Sequence, residues 1–235
     1  MTHFLITGGT GLIGRALVGE LTRAGHRVTV LTRDPQNARH RLPEGATAHP
    51  WDAHTLQGWA HLVEEAGAIV NLAGESIAGE TLPAILTRRW SAAYKARIRE
   101  SRVRIGHLLT EAIRQASRRP AVLVQASAVG YYGNTGAREV DESAPPGEDF
   151  LAEVCRAWEA STAEVESLGV RRVVIRTGLV LAREGGILPL MLLPVRMFLG
   201  GPLGSGRQAV PWIHLADEVA AIRFLLENEA ARGPY

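Results

Sequence analysis

Short apolar runs alternate with longer amphipathic segments along most of the chain. In the short runs nearly every position is apolar, which predicts strands buried on both faces of a sheet. These predicted strands are residues 4–7, 27–32, 68–72, 121–126 and 171–177, with a weaker one near 47–49. The amphipathic segments carry apolar residues at helical spacing. These predicted helices are residues 12–24, 56–65, 82–117 (broken once near Trp90), 150–168 and 214–227.

Strands that alternate with helices predict an α/β fold, in which a doubly wound parallel sheet of the Rossmann type carries helices on both faces. The rhythm changes after Thr177, because residues 183–211 are rich in glycine and proline around an apolar centre. We therefore expect a Rossmann-type domain over residues 1–182. Residues 183–235 are expected to form a small, partial C-terminal lobe that is interleaved with the last helix.

The strongest local signal is the glycine-rich stretch Thr-Gly-Gly-Thr-Gly-Leu-Ile-Gly at residues 7–14, which joins the first predicted strand to the first predicted helix. Its glycine triplet suits a tight turn, a bare backbone beneath a pyrophosphate and a close contact between helix and strand. The helix N-terminus adds free N–H groups for phosphates. This position within a βαβ unit predicts a dinucleotide cofactor. Its expected binding residues in the loop are Gly8, Thr10, Gly11, Leu12, Ile13 and Gly14.

The end of the second predicted strand bears on the choice of cofactor. An acidic residue there would bind the ribose hydroxyls of NAD, whereas the sequence reads Thr32-Arg33-Asp34. The Arg33 guanidinium suits a 2′-phosphate, which favours NADP (NADPH). The alternative is a solvated Arg33 beside an Asp34 that caps the next turn.

Further cofactor-side candidates follow the other predicted strands. Asp52 is a candidate acceptor for an adenine amino group, or else it serves an ordinary turn. Leu72, Ala73 and Gly74 end a strand at the carboxyl edge of the sheet, where ligands of such folds bind. Thr177 ends the last predicted strand of the domain at the same edge.

Composition narrows the class of protein. The 235 residues are 46% hydrophobic and 21% charged, which is ordinary for a globular protein. The net charge of +2 does not predict nucleic-acid binding, and we interpret the basic residues between 88 and 104 as a solvated helix face. The single cysteine, Cys155, excludes a disulfide framework and a cysteine zinc site, so we expect no metal.

Two further segments bear on compartment. The most apolar run, residues 187–199, contains two prolines and an arginine and is too short to span a bilayer, so no membrane partner is expected. The N-terminus enters a strand at once and lacks a signal-peptide layout. Together with the lone cysteine, this predicts a cytoplasmic protein.

Motifs spread over the whole chain match a known family. Residues 7–14, the Asn-Leu-Ala-Gly at 71–74 and the Trp-Ile-His-Leu-Ala-Asp at 212–217 resemble the extended short-chain dehydrogenase/reductases of the NAD-dependent epimerase/dehydratase superfamily. The resemblance is strongest to an atypical branch, the epimerase family of the SDR39U1 and YfcH type. Further matching stretches are residues 88–90, 101–103, 127–133, 158–159, 176–181 and 200–208.

The resemblance implies a catalytic serine and a Tyr-x-x-x-Lys pair, in which the tyrosine is the general acid or base and the lysine lowers its pKa. Ser127 matches the serine. Leu151 and Cys155, however, stand where the tyrosine and the lysine are expected. Tyr131 or Tyr132 is a substitute hydroxyl near the serine, unless it only packs the loop.

The resemblance also implies a substrate side. Glu75 either faces the substrate or caps a helix, and Arg207 is a candidate clamp for an anionic group. Trp212 and His214 line this side, where the histidine either transfers protons or fixes the start of the last helix. Arg102 stands where the superfamily often has a supporting asparagine.

The family further implies a homodimer across two long helices, residues 91–117 and 150–168. Its pattern would continue past Tyr235 into another strand. We therefore expect the chain to hold a nearly complete cofactor domain with part of its substrate lobe.

Two functions are open at this point. The first is an NADP-binding atypical oxidoreductase or epimerase-like enzyme that acts on an unidentified carbonyl or sugar-like small molecule, with Ser127 orienting the reacting oxygen. The second is a catalytically degenerate NADP-binding protein with a regulatory or redox-sensing role, which the missing tyrosine and lysine favour.

Overall fold

The computed structural model describes residues 1–77, 89–202 and 204–235. Its longer strands are β1 (His3–Thr7), β2 (Arg27–Thr32), β3 (Ala46–Pro50), β4 (Ala68–Asn71), β5 (Val122–Ala128) and β6 (Arg171–Thr177). Its shorter strands are β7 (Leu179–Ala182), β8 (Gly185–Gly186), β9 (Trp212–His214) and β10 (Gly233–Pro234). Its α-helices are α1 (Leu12–Arg23), α2 (Pro35–Arg41), α3 (Leu62–Glu65), α4 (Ala92–Gln115), α5 (Phe150–Ala160), α6 (Leu188–Arg196) and α7 (Leu215–Glu227).

Seven of these strands form one sheet in the order β10-β6-β5-β4-β1-β2-β3, and every pair in it is parallel. The order reverses between β1 and β4, as in a doubly wound sheet. The predicted Rossmann-type α/β fold is thus confirmed. The carboxyl ends of β1, β4, β5 and β6 meet at one edge, which is where ligands of such sheets bind.

Both faces of the sheet are buried, which explains the continuous apolar runs. On one face Phe4 and Ile6 of β1 pack with residues of α1 and α7. On the other face Leu5 packs with residues of α3 and α4, among them Ile105 and Leu109. Successive residues of each strand therefore feed two separate cores.

The chain leaves the main sheet after β6 and later returns to it. β7 pairs antiparallel with β8 and parallel with β9 in a second, three-stranded sheet. α6 lies between β8 and β9 and has no buried residue. α7 then packs against α1, and β10 pairs with β6. The division of the chain at residue 182 stays a prediction.

α5 is shorter than the predicted helix of residues 150–168. It ends at Ala160, and a 3₁₀ turn, Ala163–Glu166, follows it. The Ser161 hydroxyl donates to the carbonyl oxygen of Trp158 at 2.6 Å, a side-chain bond that competes with helix continuation.

The predicted helix of residues 56–65 is regular only from Leu62. Gly58 has a φ of +83°, which a right-handed helix does not allow. The indole N–H of Trp59 donates to the carbonyl oxygen of Thr55 at 2.8 Å and buries the ring beneath this turn.

The long predicted helix of residues 82–117 is observed only in its second part. Residues 82–88 lie outside the described residues. α4 begins after Ser91, whose hydroxyl accepts from the backbone N–H of Tyr94 as an N-cap. None of the helices in the described ranges is long and apolar enough to cross a membrane.

Candidate functional site

The glycine loop between β1 and α1 leaves no room for a side chain at Gly8, Gly9 or Gly14. Gly8 has a φ of +70°, and a Cβ there would lie 2.6 Å from the carbonyl carbon of Leu72 after β4. A Cβ at Gly14 would collide with the carbonyl oxygen of Gly8. Gly9, which the glycine spacing did not single out, would meet the side chain of Val30 at 2.7 Å. The loop is thus pressed against both neighbouring strands, where only glycine fits.

The N-terminus of α1 begins in this loop without a capping side chain. Gly11 is the N-cap, and a Cβ there would meet only the carbonyl oxygen of Gly8, at 3.2 Å. The first turn holds no acidic residue. Its unbonded N–H groups, including those of Leu12 and Ile13, and the positive end of the helix dipole are therefore available to an anion. The carbonyl oxygen of Thr10 accepts from Arg15 Nη1 at 3.5 Å.

A row of buried polar side chains crosses the sheet just before this edge. Thr7 Oγ1 donates to Asn71 Oδ1 at 2.6 Å, and Asn71 Nδ2 donates to Gln125 Oε1 at 2.8 Å. Gln125 Nε2 completes the row by donating to the carbonyl oxygen of Ala126 at 2.7 Å. All three side chains are fully buried. This Thr7–Asn71–Gln125 row joins β1, β4 and β5 directly behind the glycine loop.

Arg33 and Asp34 follow β2 and have separate roles. Asp34 caps α2, because its Oδ1 accepts from the backbone N–H of Asn37 at 3.0 Å. Arg33 is exposed, and no partner for its guanidinium is found within the described ranges. A free cation therefore stands where a 2′-phosphate would be recognised.

Asp52 serves the turn after β3. Its carboxylate accepts from the backbone N–H groups of His54 and Thr55, at 2.7 and 2.8 Å, and from the Thr55 hydroxyl at 2.7 Å. These hydrogen bonds lower the pKa of Asp52 to about 2. The contact between Asp52 and an adenine amino group stays a prediction. The Asp52 carboxylate already accepts three hydrogen bonds within its own turn.

Arg102 of α4 is buried beside the end of β4. It is 7% exposed, and its two terminal nitrogens donate to the carbonyl oxygens of Ile98 and Glu75 at 3.0 Å. Its guanidinium lies 5.0 Å from the Trp158 ring centroid, and it would touch a Cβ at Gly74. Burial lowers the pKa of Arg102. A buried cation with no bonded carboxylate among the described residues is costly, so the arrangement suits an anionic ligand beside Gly74.

Ser127 is held by a buried ion pair that the sequence interpretation missed. Its Oγ donates to Glu159 Oε1 at 2.6 Å, and Arg176 binds both oxygens of that carboxylate at 3.0 Å. Arg176 also donates to the Tyr132 hydroxyl at 2.9 Å and stacks 3.5 Å from the Tyr131 ring centroid. Although burial opposes it, hydrogen bonding to Glu159 and Tyr132 raises the pKa of Arg176. The Glu159–Arg176 pair thus fixes all three predicted catalytic hydroxyl residues.

Leu151 and Cys155 of α5 face the turn that follows Ser127. A Cβ at Gly130 would lie 3.5 Å from Leu151 Cβ and 3.8 Å from Cys155 Sγ. Burial raises the pKa of the Cys155 thiol, although a hydrogen bond with Ser127 opposes the shift. A neutral thiol and a leucine therefore occupy the places where the family's lysine and tyrosine are expected.

Thr177 ends β6 opposite Ala128 of β5, at the carboxyl edge. Its hydroxyl donates to Glu218 Oε1 of α7 at 2.7 Å. Glu218 is 5% exposed, and burial raises its pKa, while the hydrogen bond from Thr177 opposes the shift. Nothing in the apolar pattern of the last helix had marked this glutamate as buried.

The predicted substrate-side residues lie at the surface. Arg207, Trp212 and His214 are exposed, and His214 caps α7 by accepting from the backbone N–H of Ala216 through Nδ1 at 3.2 Å. His214 also lines a cavity of about 680 Å³ between α1 and α7. The Glu75 carboxylate lies 3.9 Å from Arg97 Nε.

The structure therefore brings together most of the cofactor-side candidates and all the predicted hydroxyl residues along one edge of the sheet. Glu159 and Arg176 belonged to stretches that carried the family resemblance, but their pairing depends on contacts between β6 and α5 that no sequence period encodes. The residues that the structure describes contain no cluster of three metal-ligating side chains.

Comparison with known proteins agrees with this geometry. The sequence profile of the NAD dependent epimerase/dehydratase family matches residues 4–235. The chloroplastic SDR39U1 homolog of Arabidopsis thaliana, an epimerase family protein, is 42% identical over 231 residues, which are 97% of this chain and 63% of the relative. The chain thus spans less than two thirds of the length of that relative.

Solved structures give the same result. The human epimerase family protein SDR39U1, crystallised with NADPH, is 34% identical and superposes with a TM-score of 0.82 over 99% of this chain and 72% of its own. The UDP-glucose 4-epimerase of Thermus thermophilus, solved with NAD, is 22% identical, with a TM-score of 0.78 over 99% of this chain and 76% of its own. At that identity it is similar in fold alone.

Proposed function

Since the chain belongs to the NAD dependent epimerase/dehydratase family, we propose that it binds NADPH along the carboxyl edge of its sheet and acts as an oxidoreductase or epimerase-like enzyme. The observation that carries this proposal is the glycine loop. Its Gly8 and Gly14 positions exclude even a Cβ, and the α1 N-terminus beside them is uncapped. That arrangement fits a pyrophosphate, which needs close backbone approach and free N–H groups.

The preference for NADPH over NADH rests on Arg33. Its guanidinium is exposed at the end of β2, whereas the neighbouring carboxylate of Asp34 is occupied by the backbone of Asn37. The Arg33 guanidinium is free to bind a 2′-phosphate, whereas no carboxylate that the structure describes at this point is free to bind two ribose hydroxyls, which favours NADPH. The NADPH bound by the human relative supports the same choice.

The other site residues would orient the ligand. When bound, NADPH would supply a hydride for reduction of a carbonyl or sugar-like small molecule. Gly74 is exposed and carries no side chain, and Arg102 places positive charge behind it. Ser127 already donates its only proton to Glu159, so towards a ligand it can only accept a hydrogen bond.

A second candidate function is supported by α5. Leu151 and Cys155 face Gly130 where a proton-transferring pair is expected, and neither can act as that pair at neutral pH. An NADPH-binding protein without turnover, with a regulatory or redox-sensing role, would fit this arrangement. The two candidates share the cofactor and differ only in chemistry.

Titration with NADPH and NADH, followed by nicotinamide fluorescence, tests cofactor binding. We expect tighter binding of NADPH, and Arg33→Ala should weaken NADPH by about tenfold or more while leaving NADH unchanged, because a charge-assisted hydrogen bond contributes about 1.5–3 kcal/mol. Arg118→Ala is the matched control, since Arg118 precedes β5 at the opposite edge of the sheet. Equal affinity of the wild-type protein for both cofactors would contradict the NADP preference, and no binding of either would contradict both functions.

Oxidation of NADPH by a panel of aldehydes, ketones and keto sugars separates the two functions. Measurable turnover supports the enzyme. Tight binding of NADPH without turnover of any compound supports the regulatory protein. We also propose a cytoplasmic location and a homodimer across α4 and α5, the latter to be measured by sedimentation equilibrium.

A further inference from the structure

A buried carboxyl on α7 is a candidate proton donor for the site. Among the side chains that the structure describes, Glu218 is the most deeply buried carboxyl, with 5% of its surface exposed. It lies in the first turn of α7, whose Val219 and Ile222 belong to the core beneath the sheet. A carboxyl in such surroundings is costly unless it is neutral or paired.

The one hydrogen-bond partner found for Glu218 in the described part of the chain is Thr177, whose Oγ1 lies 2.7 Å from Glu218 Oε1. Thr177 is the last residue of β6 and shares its face with Val173 and Ile175, which pack under α7. Unlike those two, Thr177 is only half-buried. When Glu218 is charged, the Thr177 hydroxyl donates to it. When Glu218 is protonated, its O–H can donate to Thr177 Oγ1 across the same 2.7 Å, which frees the threonine proton for a ligand at the open carboxyl edge of the sheet.

No cation compensates Glu218 within the described residues. α7 packs against α1, β5, β6, β7 and β9, and the charged side chains on those elements and on α7 itself either have partners of their own or are exposed. The ion pairs are Glu20 with Arg23 and Arg223, Arg176 with Glu159, and Arg172 with Glu166. Arg15 and Arg171 donate to backbone carbonyl oxygens, and His214 accepts from the backbone N–H of Ala216. Asp217 and Glu227 are exposed. Burial consequently raises the pKa of Glu218, which favours the protonated acid.

None of the residues at the family's serine, tyrosine and lysine positions is a free proton donor. Leu151 carries no proton for transfer, and burial holds the Cys155 thiol in its neutral form. Ser127 donates its proton to the carboxylate of Glu159, which is paired with Arg176 and therefore has no proton to return. A reduced carbonyl oxygen still needs one proton for each hydride that its carbon receives.

We propose that Glu218 supplies this proton through Thr177, so that Thr177 is a catalytic residue and Glu218 a positioning and proton-loading residue behind it. The inference rests on the proposed reduction of a carbonyl compound. As the carbonyl carbon takes a hydride from reduced nicotinamide, the C=O π bond breaks and its oxygen takes the proton of Thr177 Oγ1. Thr177 regains a proton from Glu218, which is left as a carboxylate and is reprotonated from water.

The first test needs no turnover. Glutamate labelled with ¹³C at the side-chain carboxyl is titrated by NMR in the cofactor-free protein, and the resonance missing from Glu218→Gln identifies Glu218. We expect this carboxyl to titrate at a higher pH than the exposed glutamates, and Thr177→Val to change its titration. A Glu218 resonance that titrates with the exposed glutamates would overturn the proposal.

The second test uses NADPH oxidation with an active carbonyl compound. Glu218→Gln keeps the shape of the side chain and its hydrogen bond but cannot supply the proton, so kcat should fall by about 100-fold or more. The wild-type rate should decline as pH rises through the Glu218 titration, and this decline should vanish in Glu218→Gln. Thr177→Val should behave like Glu218→Gln, whereas Thr177→Ser should restore the rate.

The matched control is Glu229→Gln, which removes an exposed carboxyl just after α7 and should keep both the rate and its pH profile. NADPH affinity should be unchanged in Glu218→Gln and Glu229→Gln, whereas a wild-type protein that does not bind NADPH would contradict the proposed function itself. Wild-type kcat in Glu218→Gln, or in Thr177→Val, would overturn the relay. A wild-type protein that binds NADPH and reduces no carbonyl compound would overturn it too.

Discussion

At the scale of single residues, the site depends on which atoms are absent and which are already hydrogen-bonded. Gly8 and Gly14 hold the loop against β4 and against itself because neither carries a Cβ. Asp52 and Asp34 show the opposite case, since their carboxylates are filled by backbone N–H groups of their own turns. Sequence alone marks such residues as candidates, but it does not show which of their atoms remain free for a ligand.

Gly14→Ala should therefore disturb the loop and the cofactor together. The added methyl group would collide with the Gly8 carbonyl oxygen, so we expect a loss of about 1–3 kcal/mol in the free energy of unfolding and weaker NADPH binding. Urea unfolding and nicotinamide fluorescence measure the two effects. Gly201→Ala is the control, because a Cβ there meets nothing within 4 Å. Wild-type NADPH affinity in Gly14→Ala would contradict the tight loop.

At the scale of elements, the pattern predicted regular segments well and their interruptions poorly. β2 and β6 begin and end at the predicted residues, because their valine-rich runs are bounded by polar turns. α5 ends early, since Ser161 bonds back to Trp158. The sequence pattern also did not predict the Glu159–Arg176 pair, because that contact depends on how α5 packs against β6.

Removing one member of the Glu159–Arg176 pair should be costly. The two side chains are 14% and 6% exposed, so Glu159→Gln leaves a nearly buried guanidinium without its counter-charge, and we expect a loss of about 3–5 kcal/mol in the free energy of unfolding. The double variant Glu159→Gln/Arg176→Met should lose less than the two single losses added together. Urea unfolding gives all three values.

The control for that cycle is Glu164→Gln. Glu164 pairs with Arg114 at 2.7 Å, but both side chains are more than 40% exposed, so its removal should cost less than about 1 kcal/mol. Additive losses in the buried pair would show that the two charges do not stabilise each other.

A buried histidine at the amino-terminal ends of β1 and β2 should make the free energy of unfolding depend on pH. His3 is buried, accepts from Arg27 at 2.8 Å and bonds the Thr29 hydroxyl at 2.8 Å. Burial, with the Arg27 charge second, lowers the pKa of His3 below its ordinary 6.5. The unfolded chain then binds the proton more readily, so the free energy of unfolding should fall as pH drops below about 6.5.

His3→Gln should reduce this loss between pH 7.5 and pH 5, as measured by urea unfolding at each pH. His107→Gln, at an exposed histidine of α4, should leave the loss unchanged. An identical pH dependence in wild-type protein and His3→Gln would assign the effect to other groups.

At the scale of the whole molecule, many of the large exposed apolar side chains lie in one segment. The main sheet is covered on both faces, whereas α6 and the residues after it expose a run of large apolar side chains. These are Met191, Leu193, Val195, Met197, Phe198 and Leu199, each at least 40% exposed. Exposed apolar side chains in such number favour association.

Apart from the proposed dimer across α4 and α5, the protein should therefore associate through this run as its concentration rises, and the double variant Met197→Glu/Phe198→Asp should suppress that further association. Sedimentation velocity over a range of concentrations measures both. Phe224→Asp is the control, since Phe224 is 61% exposed but lies on α7 outside this run. Undiminished association of the double variant would place the contact elsewhere on the molecule.

The Thr7–Asn71–Gln125 row has a consequence for how the chain reaches this state. Two of its donors, Thr7 Oγ1 and Asn71 Nδ2, have their acceptors on the adjacent strand, so sliding β4 by one residue would leave buried polar groups without partners, at about 1–3 kcal/mol each. Because these strands are apolar on both faces, a slip by one residue would exchange apolar side chains between the two cores, so the apolar pattern alone does not specify the alignment. During folding, the row thus favours the one alignment of β1 with β4 that satisfies its hydrogen bonds, and that alignment also places Gly8 against Leu72.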